Sequence, residues 1–149
     1  MTFKINSKGP VLVTGANGFV ASWLVKRLVE SGVTVHATVR DISDKGKVSH
    51  LKQLSKEGPG KVQLFESDLL KEGSFLEPMK KCTIVFHTAS PFIIDAKRIK
   101  NPQTDFYDPI VNGMENILQT VNDTKTVKKV VLTSSIVAVY GDLKECLNS

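Results

Sequence analysis

A doubly wound α/β fold on a five-stranded parallel sheet is predicted by three observations. Short β-branched runs alternate with amphipathic segments along the chain. The first run ends in a glycine turn that opens straight into a helical pattern. No internal repeat, low-complexity tract or linker breaks the series, and 149 residues suffice for one domain with its own core.

The elements follow in order. Residues 10–15, PVLVTG, form a short apolar run closed by glycine and read as a buried strand. Residues 18–32, GFVASWLVKRLVESG, carry Val20, Trp23, Leu24, Leu28 and Val29 at helical spacing, and Gly32 stops the helix. Residues 33–39, VTVHATV, are β-branched and give a second strand. A short helix over 45–58 and a third strand over 61–69 come next, then a weak helix over 72–82 and a fourth strand over 83–90. A loop holding Pro91 and Pro102 leads to 108–123, DPIVNGMENILQTVND. There Ile110, Val111, Met114, Ile117, Leu118 and Val121 share one side, which reads mostly as core. Residues 127–135, VKKVVLTSS, are the fifth strand. Right-handed crossovers then put helices on both faces of the sheet, in the Rossmann-type order 3-2-1-4-5.

Bulk composition narrows the function classes. Hydrophobic residues make up 41% and charged residues 23%, as in an ordinary globular protein. The formal net charge is +5, but the basic residues sit in small groups such as Lys80-Lys81, Lys97-Arg98 and Lys128-Lys129. Without a long basic tract and interleaved aromatics they read as a solvated surface, not a nucleic-acid footprint. No apolar run approaches the roughly 20 residues that cross a bilayer, so no membrane partner is expected. The first ten residues lack an apolar signal core, and Cys82 and Cys146 make no disulfide framework. A reducing, cytoplasmic location is expected. His36 and His50 have no companions at ligand spacing, so no metal site is expected, and His87 reads as a packed strand residue.

The turn Gly15-Ala16-Asn17-Gly18-Phe19-Val20-Ala21 is a G-x-x-G-x-x-A between the first strand and the first helix. In that context glycine permits a tight turn, backbone N–H groups approach a pyrophosphate, and the helix start adds partial positive charge. Ala21 is small enough for close helix–strand packing. The second strand closes with Val39-Arg40-Asp41. A guanidinium there suits the 2′-phosphate of NADP, and Lys47 on the next helix adds a second positive contact. Asp41 keeps NAD open, because a strand one residue longer would put a carboxylate at the ribose 2′-hydroxyl.

With these residues in place the sequence resembles an extended short-chain dehydrogenase/reductase, of the branch of dihydroflavonol reductases, cinnamoyl-CoA reductases and methylglyoxal or aldehyde reductases. VLVTGANGFVASWLVKRLVESG, VHATVRD, FESDLLKEGSF, KKCTIVFHTASP, NGMENIL and VKKVVLTSS carry the likeness, in the family's order and over nearly the whole chain. The resemblance implies that Arg40 and Lys47 bind the NADP 2′-phosphate and that Asp68 and Leu69 border the adenine. It implies that Thr88, Ala89 and Ser90 line the cofactor and that Ser135 helps bind the carbonyl oxygen of a small-molecule substrate. The implied activity is reduction of a carbonyl to an alcohol by hydride transfer. In that family the Tyr-x-x-x-Lys pair and the substrate-binding half follow the TSS segment, so residues 1–149 correspond to an incomplete NADP-binding domain without that half.

Tyr140 and Lys144 share the Tyr-x-x-x-Lys spacing, but they read as coincidence. Five extended residues beyond Ser135 span about 16 Å and point Tyr140 to the opposite face. Gly141 and Asp142 are poor choices for a helix interior. The isolated chain is therefore expected to be inactive. Two other readings stay open: a non-catalytic dinucleotide-binding module, and the front half of an NAD-dependent nucleotide-sugar epimerase or dehydratase. A sheet that ends at the fifth strand would also expose an edge open to self-association.

Overall fold

Val11–Thr14, here β1, buries all four side chains, so it needs neighbours on both edges and cover on both faces. The computed structural model, which describes residues 5, 7–90 and 100–135, supplies both. β2 (Thr34–Val39), β3 (Lys61–Glu66), β4 (Ile84–His87) and β5 (Lys129–Leu132) join it in one sheet. The order is β3-β2-β1-β4-β5 and every described pairing is parallel. Val11 lies opposite Val35 on one side and Ile84 on the other, so β1 is the centre of the ladder.

Among the described residues four α-helices cover the sheet: α1 (Phe19–Glu30), α2 (Lys45–Glu57), α3 (Leu76–Met79) and α4 (Asp108–Asp123). On one face Val11, Val13, Val35, Ala37 and Val39 pack with Ala21, Val25, Leu28 and Val29 of α1 and with Val48 and Leu51 of α2. On the other, Leu12 and Val85 pack with Phe75, Met79, Cys82 and Ile117. Odd and even positions of β1 therefore feed different cores, as the period of two requires.

Two helical faces are rotated from the sequence expectation. In α1, Val20 and Trp23 are exposed, and the buried stripe runs Ala21, Val25, Leu28, Val29. Trp23 instead carries the Lys26 ammonium over its ring, 5.3 Å from the centroid. In α4 the buried stripe is Gly113, Ile117 and Thr120, while Ile110, Val111 and Leu118 face outward. Small Gly113 is the reason: α4 approaches so closely there that a Cβ would lie 2.9 Å from Leu69 Cβ. A hydropathy pattern gives little weight to glycine or threonine, so it centres the stripe to one side: Ile117 is buried and Val121 packs on the core as expected, but Ile110, Val111 and Leu118 do not. The chain also enters α4 through a turn of π-helix, Gln103–Tyr107, within the segment expected to be loop. Among the described residues no helix is long and apolar enough to cross a membrane. Tyr140, Lys144 and Cys146 lie outside the described residues.

Adjacent residues of α4 should therefore respond very differently to truncation. Ile117, 0% exposed, should lose about 2–5 kcal/mol of stability as Ile117→Ala. Leu118, 44% exposed, should lose under about 1 kcal/mol as Leu118→Ala. Urea denaturation of the two variants measures this, and comparable losses would contradict the observed orientation of α4.

Candidate functional site

The site grows from the point where the chain leaves β1. Gly15 has φ +62°, and a Cβ at that position would stand 3.1 Å from Ala89 Cα. Only glycine takes that backbone without strain while β4's end lies so close. The turn is held on three sides. Ala16 N–H donates to Thr38 O of β2 (2.9 Å), Gly18 N–H donates to Gly15 O (2.9 Å), and Ser22 Oγ donates to Ala16 O (3.0 Å).

α1 then begins at Phe19 with Gly18 as N-cap, no capping side chain and no acidic residue in the first turn. No acceptor among the described residues takes the N–H of Phe19, Val20 or Ala21. Such a helix start carries partial positive charge and unsatisfied donors. With the glycine geometry it fits an anionic diphosphate. Asn17 is half-buried, and Phe19 and Val20 present exposed side chains beside these donors.

Thr14 fixes the other wall. Its Oγ1 accepts from Thr88 N–H (3.1 Å) and Ala89 N–H (3.0 Å) and lies 2.8 Å from His87 Nδ1. A hydroxyl has two lone pairs and one proton. Both lone pairs are filled by amides, so the proton goes to His87 Nδ1, and the histidine proton sits on Nε2. Burial holds the His87 pKa below its ordinary value, which agrees with a neutral ring. Thr88 Oγ1 returns a hydrogen bond to Thr14 O. Thr88, Ala89 and the exposed Ser90 are thereby set against the glycine turn.

The ends of β2 and β3 supply charge. Arg40 is exposed one residue beyond β2, and no described residue pairs with it. Asp41 is committed elsewhere: Oδ1 accepts Ser43 N–H (2.7 Å) and Ser43 Oγ–H (2.6 Å), which hold its carboxyl below the usual range. Lys47 on α2 is paired with Asp44, the α2 N-cap, at 2.9 Å. That bond raises the Lys47 ammonium above its ordinary value, while the positive charge of Arg40 acts in the opposite sense. Beyond β3, Ser67 N–H donates to Val39 O, so Asp68 follows close to the end of β2. Asp68 Oδ1 accepts Leu70 N–H (2.9 Å), and Asn116 of α4 donates to Leu69 O (3.0 Å). Leu69 is half-buried against the second core.

Ser135 is exposed, three residues past β5, whose pairing with β4 continues in a Thr133 N–H to His87 O bond. Every sequence-selected residue except Lys47 thus follows the carboxyl end of a strand. The glycine turn and Thr88–Ala89 meet at the switch point between β1 and β4, where an open α/β sheet offers its crevice. Sequence reasoning missed Thr14 and Ser22. A hydroxyl closing an apolar strand just before glycine was the available signal for Thr14.

His36 and Cys82 also come together, though not as a site. His36 Nδ1 and Cys82 Sγ share the carbonyl of Pro78, at 2.6 and 3.3 Å. Burial pushes the Cys82 thiol up to about 12, so it is an inert filler. Among the described residues no group of His, Cys, Asp and Glu could hold a metal ion.

The profile of the NAD dependent epimerase/dehydratase family matches residues 11–148. The chain is 49% identical over 131 residues to a cinnamoyl-CoA reductase of Medicago truncatula, covering 87% of this chain and 38% of that protein. It is 44% identical over 140 residues to a dihydroflavonol 4-reductase of Gerbera hybrida, covering 94% and 37%. The yeast methylglyoxal/isovaleraldehyde reductase Gre2, solved complexed with NADPH, aligns with TM-score 0.69 and 30% identity over 88% of this chain and 38% of that one. The chain spans a little over a third of the length of these relatives.

Removing the Thr14 hydroxyl should strand two amides and an imidazole nitrogen. Thr14→Val should cost at least about 2 kcal/mol, whereas Thr14→Ser, which keeps the hydroxyl, should cost under about 1 kcal/mol. Equal losses in a denaturation series would sink the junction. His87 also predicts a pH slope. Its folded pKa lies below the ordinary 6.5, so its stabilising contribution is present above 6.5 and is lost as pH falls through the folded value. Stability measured at successive pH values from 7.5 downward should fall, and His87→Asn, whose Oδ1 still accepts from Thr14, should flatten part of that fall.

Proposed function

The chain belongs to the NAD dependent epimerase/dehydratase family, and from that premise we propose that it is the NADP(H)-holding portion of a reductase that turns a carbonyl into an alcohol. The observation that carries the cofactor choice is the end of β2. Arg40 stands there exposed and unpaired by any described residue, while Asp41 is occupied by Ser43. A guanidinium matches a 2′-phosphate through charge-assisted bonds; a 2′-hydroxyl would call for a free carboxylate instead. Relatives named as reductases, one of them solved with NADPH, support the same reading.

When bound, NADPH supplies a hydride to the carbonyl carbon of a small-molecule substrate. The chain's own residues hold and orient. Gly15, Ala16 and Gly18 shape the turn, and the N–H groups of Asn17, Phe19 and Val20, which no described residue accepts, take the diphosphate. Arg40 takes the 2′-phosphate, and Lys47 joins it once its ammonium leaves Asp44. Asp68 and Leu69 border the adenine, and Thr88, Ala89 and Ser90 line the cofactor. Ser135 offers a hydrogen bond that orients the carbonyl oxygen, whose negative charge grows during reduction, while the proton of the alcohol would come from the family's Tyr-x-x-x-Lys pair. A reducing, cytoplasmic setting belongs to this reading, supported by the free buried thiol of Cys82; cell fractionation tests it.

Titration calorimetry of the 149-residue chain tests the cofactor. NADPH should bind more tightly than NADH. Arg40→Ala should weaken NADPH by about 10- to 100-fold, the loss of one or two charged hydrogen bonds, and leave NADH within about twofold. A wild-type preference for NADH, or equal losses for both, would reject NADP(H).

A further inference from the structure

The nucleotide reading leaves one contact unused. His50 Nε2 lies 3.0 Å from Ser22 Oγ, and Ser22 Oγ donates its only proton to Ala16 O, also at 3.0 Å. A hydroxyl cannot give the same proton twice, so His50 must be the donor to Ser22. The result is a directed relay: His50 Nε2–H to Ser22 Oγ–H to the carbonyl of Ala16. It joins the second helix to the glycine turn across 28 residues of sequence. Both the neutral Nε2–H ring and the imidazolium donate from Nε2, so the relay keeps its direction in either state.

Its target is a peptide group that matters. Ala16 N–H is already fixed on Thr38 O of β2. With Ala16 O drawn toward Ser22, the plane of the following peptide is set, and a trans peptide aims the Asn17 N–H opposite to that carbonyl. No described residue accepts from Asn17 N–H. The relay therefore fixes the direction of a free donor in the turn. His50 and Lys47 are three residues apart on α2, on neighbouring positions of one helical face. The helix that carries a cation toward the end of β2 is thus the one tied to the turn.

We propose that His50 is a positioning residue of the nucleotide site, acting through Ser22 to fix the Ala16–Asn17 peptide of the glycine turn; the inference rests on the dinucleotide reading of that turn. His50 does not touch the 2′-phosphate in this scheme. The turn faces the diphosphate, which NADPH and NADH share, so His50 influences both cofactors alike. Arg40 separates them.

The test uses the 149-residue chain with two readouts. In the free protein, amide hydrogen exchange at Ala16, Gly18 and Ser22 should quicken about three- to tenfold in His50→Ala and in Ser22→Ala. It should stay at the wild-type rate in His50→Gln, whose Nε2–H can still donate. In calorimetry, His50→Ala should weaken NADPH and NADH by the same factor, about three- to tenfold, the worth of one neutral hydrogen bond. His50→Gln should restore both, and the double variant with Ser22→Ala should be no weaker than Ser22→Ala alone. A loss confined to NADPH would mean that His50 contacts the 2′-phosphate directly, and would overturn the relay. Unchanged exchange at the turn, or quicker exchange with unchanged affinities, would also overturn it. A wild-type chain that binds neither nucleotide overturns the dinucleotide reading instead, and the positioning role with it; the exchange data then report only whether the relay stiffens the turn.

Discussion

Thr14 Oγ1 accepts two amides from the segment after β4 and donates to His87, so the carboxyl ends of the two central strands are locked at one atom. The geometry of the crevice depends on that lock. Gly15 tolerates Ala89 at van der Waals distance only because it has no side chain, and Ala89 is held there by the Thr14 hydroxyl. Thr14 and His87 are buried, and among the described residues no buried side-chain nitrogen or oxygen lacks a partner. A low-dielectric surrounding strengthens such a network when it is complete and makes it costly when it is not.

Around this fixed point the charges are sorted by commitment. Lys26 and Arg27 answer Glu30, and Lys47 answers Asp44. Asp41 closes its own loop on Ser43. Arg40 is left facing solvent at the end of β2, and the start of α1 has neither an acidic residue nor a capping side chain. A net positive chain with its local ion pairs satisfied keeps attraction for anions where donors stay unused.

Much of this was legible in the sequence because strand and helix alternation is a one-dimensional signal. The nine expected strands and helices all appear in order among the described residues, and α4 runs over the predicted residues 108–123. The strand ends were less legible. β3 stops at Glu66, because Ser67 and Ser74 close a turn that apolar content does not announce. The buried faces of α1 and α4 were legible only in part: Leu28, Val29 and Ile117 are buried as expected, but Gly113 and Thr120 line the interface while Val111 and Leu118 do not. For the site, the glycine spacing and Arg40 could be read directly. Thr14, Ser22 and His50 could not, because their roles depend on partners 28 to 75 residues away.

The central position of β1 also governs the order in which the molecule can assemble. β1 comes earliest of the five described strands, yet its pairing with β4 joins Thr14 to His87, 73 positions further along the chain. Closing so long a loop carries an entropic cost that local contacts do not, and parallel sheets built from such contacts fold slowly. The β1–α1–β2 unit can form early from nearby residues. The glycine turn cannot settle into its final shape until β4 arrives beside it, so the crevice is among the last parts of the fold to become native.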